Sequence, residues 1–233
     1  MENHKMDRLV HVIARIRTDF PTKFGIPRQS GLVDELKAEI VFEPEYRNPD
    51  ALRGIEEFSH IWLIWEFSEA VRETWSPTVR PPRLGGNKRV GVFATRSPFR
   101  PNAIGLSSVR LDSVELHTER GPVLHVSGAD LMDGTPIYDI KPYLSFADSH
   151  PEATGSFTDQ TKEYSLQVVI PEKAEQMVEA HKRSALRAVL AHDPRPSYQN
   201  DPERIYGMEF AGYEVKFRVC EETLFVTEIE EKN

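Results

Sequence analysis

The sequence predicts a mostly β unit over residues 1–147 followed by a small α+β unit over residues 163–233. Three observations carry this. Apolar and polar residues alternate over short runs through the first unit, the two-residue period of half-buried strands. Glycine and proline clusters punctuate those runs at close intervals. One stretch of helical periodicity, over residues 171–191, appears only after a polar, small-residue segment around 148–162 that reads as the linker.

The elements follow in order. Leu9–Thr18 reads as a strand, with Val10, Val12, Ala14 and Ile16 on one face and His11, Arg15 and Arg17 mostly on the other. A polar loop follows, broken by Pro21, Gly25, Pro27 and Gly31, and then a short strand, Ala38–Phe42. Asn48-Pro49-Asp50 opens a short helix ending near Glu57, because proline suits the first helical turn. His60–Phe67 is apolar on both faces and reads as the central strand of a closed or covered sheet. Residues 75–88 hold three prolines and two glycines and form a loop. Arg89–Thr95 is expected to be a strand, and SPFRPNAIG a second structured loop. Leu106–Leu116 and Pro122–Gly128 read as paired strands, and residues 128–144 as a turn-rich excursion around Asp133-Gly134. In the second unit, Pro171–Ala191 is expected as one helix, with Glu172 and Glu175 early and Lys182, Arg183 and Arg187 late, as the helix dipole favours. After a proline-containing loop, Tyr213–Cys220 and Thr223–Ile229 form a hairpin across Glu221-Glu222.

Composition narrows the function. Hydrophobic residues make up 39% of 233, enough for a buried core, and the single cysteine, Cys220, excludes a disulfide framework and suits a reducing compartment. The N-terminus shows no apolar signal core, and no uncharged apolar run approaches the ~20 residues of a membrane span, so a cytoplasmic protein without membrane contact is expected. The net charge of −8 by itself argues against a generic nucleic-acid binder. The charge is not evenly spread. From Ser76 to Arg110 there are seven basic residues and no acid, which leaves −15 on the rest of the chain.

The dinucleotide-binding, P-loop and nucleophile-elbow motifs (G-x-G-x-x-G, G-x-x-x-x-G-K-[ST], G-x-S-x-G) are absent. The eight histidines are scattered singly, so no metal site is expected. The informative stretch is VRPPRLGGNKRVGVFATRSPFRPNAIGLS. Arginines at the ends of loops stiffened by proline and glycine make a rigid platform for carboxylates or phosphates. Phe99, framed by Arg96 and Arg100, is placed either to stack on a base or to pack in the core. The plainer reading is an arginine-rich surface paired with the chain's excess acids.

The runs VRPPRLGG, GVFATRSPFRPNAIGLS and DGTPIYDIKPYL, together with FGIPRQSGLV, EEFSHIWLIW and AHDPRPSY, closely resemble the TrmO family, also called YaeB-like or TsaA-like, over nearly the whole chain. The resemblance implies a single-sheeted β-barrel catalytic domain, a homodimer, and cofactor bound near the subunit interface. It implies transfer of a methyl group from S-adenosylmethionine to N6 of N6-threonylcarbamoyladenosine beside the anticodon of threonine tRNA. By the same resemblance the cofactor pocket is lined by Arg28, Gln29, Ser30 and Gly31, by Phe67 and Ser68, by Arg96 and Leu106, and by the turn Ala129, Asp130, Leu131, Met132 and Asp133. Plainer roles exist for several: Gln29 as a loop brace, Phe67 and Leu106 as packing, and Asp133 as the first residue of an Asx-turn.

The chemistry sets further expectations. Methyl transfer needs nucleophile, methyl carbon and sulfur in line, so positioning supplies much of the acceleration. The attacking nitrogen bears a carbonyl substituent and must lose a proton, so an acceptor is expected. Asp139, Lys141 and Tyr143 alternate, and on a strand would point one way. Asp139 is a candidate acceptor and Lys141 a partner for the threonyl carboxylate or a phosphate, against the alternative of a structural pair on an exposed strand. His60 is the second candidate base, or else a satisfied core histidine. For the anticodon loop, Arg80, Arg83, Lys88, Arg89 and Arg100 are the expected contacts. Arg195 and Tyr198 either clamp the RNA, Tyr198 by stacking on a splayed base, or only seal the domain interface. The rival readings are a non-catalytic RNA-binding module and a methyltransferase for another substrate.

Overall fold

A computed structural model of the chain describes residues 9–71, 74–81, 88–156, 158, 164–195 and 201–232. Its strands are β1 (Ala14–Arg17), β2 (Lys37–Phe42), β3 (His60–Glu66), β4 (Thr78–Val79), β5 (Val90–Gly91), β6 (Ile104–Glu115), β7 (Val123–Ser127), β8 (Pro136–Pro142), β9 (Gln167–Val169), β10 (Tyr206–Phe210), β11 (Tyr213–Cys220) and β12 (Thr223–Glu231). The α-helices are α1 (Ser145–Asp148), α2 (Glu172–Met177) and α3 (Arg183–Ala191).

Six strands close a barrel in the order β1-β2-β7-β6-β3-β8, and β8 returns to β1. Every pairing in it is antiparallel. Alternation fills the inside: Ile61, Leu63 and Trp65 of β3 point inward with Ala14 and Ile16 of β1, Ile40 of β2 and Ile137 of β8. Trp62, Ile64 and Glu66, the alternate residues of β3, stand half-exposed on the outer wall, so this strand is not covered on both faces.

Several elements differ from the sequence reading. The first strand is only Ala14–Arg17, because its partner β2 begins its pairing at Phe42 opposite Ala14; Leu9 and Val10 beyond it are exposed. The helix expected after Asn48 starts as read, with the Asn48 carboxamide oxygen accepting from Asp50 N at 3.0 Å, but Gly54 at φ +87° divides it into two 3-10 turns. Residues 89–95 give two strand residues, β5, which pair with β4 away from the barrel, and then a 3-10 turn over Val92–Ala94. The excursion after residue 128 contains β8, the strand that closes the barrel. The expected helix 171–191 is broken at Val178, which is extended and buried. Arg183 Nε donates to Val178 O at 2.8 Å, and a bidentate Arg187–Glu175 pair (2.5 and 2.7 Å) holds α3 against α2 across the break. Strand β9 lies in a segment for which the sequence gives no element, and β10 begins within the expected proline-containing loop.

The C-terminal sheet runs β10-β11-β12-β9, with β9 parallel to β12, while α2 packs on β12 and α3 on β9. Its core takes in side chains from far upstream. Phe20, Val33 and Leu36 of the loop after β1 are buried there, and Phe20 meets Phe210 edge-to-face at 5.4 Å. Lys182 Nζ donates to both oxygens of Asp19 at 2.6–2.7 Å. No described helix is long and apolar enough to cross a membrane.

Candidate cofactor and substrate site

A cavity of about 1080 Å³ opens where β3 ends and β6 begins. Four segments wall it: the 26–29 part of the first loop, Trp65–Val71, the loop that carries Phe93 to Asn102, and the Asp130–Met132 turn, with Ile104 and Leu106 between them. The first loop reaches the cavity because both its ends are fixed. Gly31 N donates to Gly128 O at 2.9 Å at one end, and at the other Met208 fills the space beside Gly25, whose φ of +96° also disfavours any side chain. Opposite it, the second loop braces itself: Thr95 Oγ1 donates to Val92 O at 2.8 Å, and Arg100 Nη1 donates to Thr95 O at 3.2 Å. Arg96 Nη1 then reaches across and donates to Gln29 Oε1, tying the two loops together.

At the back lies a polar chain. Trp65 Nε1 donates to Ser107 Oγ at 3.0 Å, and Ser107 Oγ donates to Asp130 Oδ1 at 2.6 Å. Burial pushes the Asp130 carboxyl above its ordinary range, and the Ser107 hydroxyl, the Ser30 N–H and the Arg96 charge offset only part of that cost. At the front, Phe67 packs against Trp65 with ring centroids 4.2 Å apart. The Tyr138 hydroxyl donates to Glu66, and burial together with that carboxylate pushes the tyrosine up to about 12.

Of the expected cofactor contacts, Arg28, Gln29, Phe67, Ser68, Arg96, Leu106, Asp130, Leu131 and Met132 line this cavity. Ser30 contributes its backbone N–H to Asp130 from behind, and Gly31 serves the Gly128 contact. Ala129 is buried in the barrel core. Asp133 is a brace: its carboxylate accepts from Thr18 N at 3.0 Å and Arg17 Nη1 at 3.4 Å.

The four expected catalytic residues do not line the cavity. Asp139 and Lys141 form an exposed ion pair of 2.9 Å on the outer wall of β8. A bulge at Tyr138 sets that register, so that Asp139 pairs with Ile64, which pairs in turn with Leu106. Asp139 thus sits two strands, about 10 Å, from the cavity rim on the same outer face. His60 is at the opposite end of β3, about 20 Å from Glu66, beside Tyr143 (6.1 Å between centroids), which also packs on Trp62.

Of the expected RNA contacts, Arg80, Lys88 and Arg89 are exposed, whereas Arg100 spends its guanidinium on the loop it braces. Arg195 takes the second of its two expected roles. It is buried, bidentate to Asp193 at 2.8 and 2.9 Å, and its carbonyl accepts from Arg28 Nη2 at 3.3 Å, so it seals the junction between the two units. Arg83 and Tyr198 lie outside the described residues. The sequence reading missed Glu66, Trp65 and Ser107. The signal for Glu66 was present, an acid closing an apolar strand one residue before Phe67.

Fold and site together define a barrel protein of non-Rossmann type. Its pocket combines an arginine, buried and half-buried carboxylates and aromatic walls, the chemistry that a zwitterionic nucleoside requires. The chain belongs to the TrmO family: residues 15–149 match the tRNA-methyltransferase O N-terminal domain and residues 163–232 the TrmO C-terminal domain. It is 42% identical over 217 residues to the tRNA (adenine(37)-N6)-methyltransferase of Escherichia coli, covering 90% of this chain and 92% of that one. It is 40% identical over 211 residues to a Pseudomonas aeruginosa protein described as a putative S-adenosylmethionine-dependent methyltransferase, covering 87% and 89%. The crystal structure of TrmO from P. aeruginosa superposes with a TM-score of 0.80 at 32% identity, over 99% of this chain and 100% of that one.

Proposed function

We propose that the protein transfers a methyl group from S-adenosylmethionine to N6 of adenine 37 in tRNA, with N6-threonylcarbamoyladenosine of threonine tRNA as the substrate nucleoside. The observation that carries this reading is the pairing, in one cavity, of the Arg96–Gln29 bridge with the Asp130 and Glu66 carboxylates around the Trp65–Phe67 rings. The donor set fits the cofactor: Arg96 for its carboxylate, Asp130 or Glu66 for its ammonium, and Phe67 and Leu106 for its adenine face. When bound there, the cofactor supplies the electrophilic methyl. The residues of this chain orient the two reactants and exclude water, and the loops need little reordering because prolines and backbone bonds already hold them. The volume of about 1080 Å³ leaves room beside a cofactor for an inserted base.

The Asp139–Lys141 pair belongs to the same reading through a second copy. The outer wall of β3 and β6 exposes Ile104 and Leu106 at the cavity rim. A homodimer formed on that wall covers them and carries a proton-accepting carboxylate and a carboxylate-binding lysine from one copy toward the other's cavity. Arg80, Lys88 and Arg89 face the anticodon loop, and the reaction is placed in the cytosol with the tRNA pool.

Two measurements test this. Calorimetric titration with S-adenosylmethionine is expected to show saturable binding that Arg96→Ala abolishes; no heat signal with the wild-type protein removes the cofactor assignment. Nucleoside mass spectrometry of threonine tRNA incubated with protein and cofactor is expected to show one added methyl on the hypermodified adenosine. Methylation confined to another nucleoside refutes the substrate.

A further inference from the structure

Trp75 and Phe93 are large apolar side chains left half to mostly exposed, at 50% and 72%, and their rings lie nearly parallel, 29° apart with centroids at 6.1 Å. The β4–β5 ribbon creates this pair. Thr78 pairs with Gly91, and Val92 N donates to Pro77 O at 2.9 Å, so the residues just before β4 and just after β5 are drawn together at the open end of the ribbon. Phe93 is also a wall of the cavity, three residues before Arg96. Two aromatic rings left in water at the end of a two-pair ribbon, beside the cavity, mark a recognition surface. The charge around them says what is recognised. The segment from Ser76 to Arg110 holds seven basic residues and no acid, and of these Arg80, directly after β4, and Lys88 and Arg89, directly before β5, are exposed. A pair of rings at one end of a short ribbon and cations at the other match an unpaired nucleobase with its phosphates.

We infer that Trp75 and Phe93 form a stacking platform for an unpaired base of the RNA substrate, next to the nucleotide that enters the cavity. This deepens the proposed tRNA reading and rests on it for the identity of the RNA. The platform holds the neighbouring base while the ribbon's cations hold its phosphates, so that the target base is presented splayed from its stack. Trp75 is a substrate-positioning residue that does not itself line the cavity.

The test uses the full-length protein. Trp75→Ala is expected to raise KM for tRNA about tenfold, the loss of one stacked base, with affinity for S-adenosylmethionine unchanged. Trp75→Phe restores KM. Tryptophan fluorescence is read in parallel with a seven-nucleotide single-stranded RNA: quenching in the wild type is expected to be largely lost in Trp75→Phe, although that variant still binds. An active wild type together with a Trp75→Ala variant of equal KM overturns the platform. So does a Trp75→Ala variant that sediments at half the wild-type mass, which assigns the rings to a contact between copies. A wild type that shows Trp75-dependent quenching with RNA but methylates no tRNA leaves the platform standing and overturns the enzymatic reading instead.

Discussion

Asp130 holds a carboxyl in surroundings that resist its charge. Its pKa is raised by burial, and the Ser107 hydroxyl and Ser30 N–H do not fully compensate. A carboxyl bound more tightly to its proton when folded contributes stability that is fully present below the ordinary carboxylate range, about pH 4, and that is lost as pH rises through the raised value. Asp130→Asn is therefore expected to unfold at a temperature no lower than wild type at pH 7, and to lose that component of the pH dependence. The same change is expected to weaken S-adenosylmethionine binding, read by calorimetry, because the ammonium loses a charged partner. A variant both less stable at pH 7 and unchanged in affinity contradicts the assignment. Arg195 illustrates the opposite case. In the sequence it is one more arginine in a proline loop, but in the fold it is bonded to Asp193 through two hydrogen bonds and is not available to a phosphate.

At the scale of elements, the junction of β3 and β6 shapes the site. Gly105 lies opposite Trp65, whose indole occupies the space a side chain would need, and that indole starts the chain to Ser107 and Asp130. Gly105→Ala is expected to displace the ring, costing about 1–3 kcal/mol as overpacking does, and to lower cofactor affinity in the same variant. Thermal unfolding and calorimetry check the two effects, and an unshifted melting temperature contradicts the packing argument. Most strands were legible element by element. Ala38–Phe42 and the Tyr213–Ile229 hairpin announce themselves because alternation is a local property of residues two apart, and His60–Phe67 because its apolar run has the length of a strand. Strand β8 was not legible, since Pro136, Pro142 and Asp133-Gly134 give it the composition of a turn, and only its neighbours β1 and β3 make it a strand. The helix break at Val178 was hidden for a related reason. The periodicity runs through it, and the interaction that favours the break, Arg183 on the Val178 carbonyl, requires α3 to be in place.

At the scale of the molecule, the two units share more than a linker. Phe20, Val33 and Leu36 leave the barrel side of the chain and complete the C-terminal core, worth about 1.5–3 kcal/mol apiece when buried. The loop between them presents Arg28 and Gln29 to the cavity. A chain ending at residue 150 is expected to expose those three side chains, bind a hydrophobic dye, and lose affinity for S-adenosylmethionine. Full affinity in that fragment shows that the loop holds its shape without the C-terminal unit.

The sequence alone determined the strand-rich first unit, the late helical segment, the basic window and the long motif runs, because period, charge and motif are each carried by residues close together in the chain. It also placed nine of the cofactor candidates on the segments that wall one cavity. Only the tertiary structure decided which of those side chains face inward and which brace the loops from behind, and that the catalytic candidates Asp139 and Lys141 stand on the outer wall. Those assignments depend on barrel closure and on a one-residue bulge in β8, which set the face that every later side chain of the strand presents. They depend equally on contacts between residues as distant as Gln29 and Arg96, or Arg28 and Arg195, whose meeting no local pattern encodes.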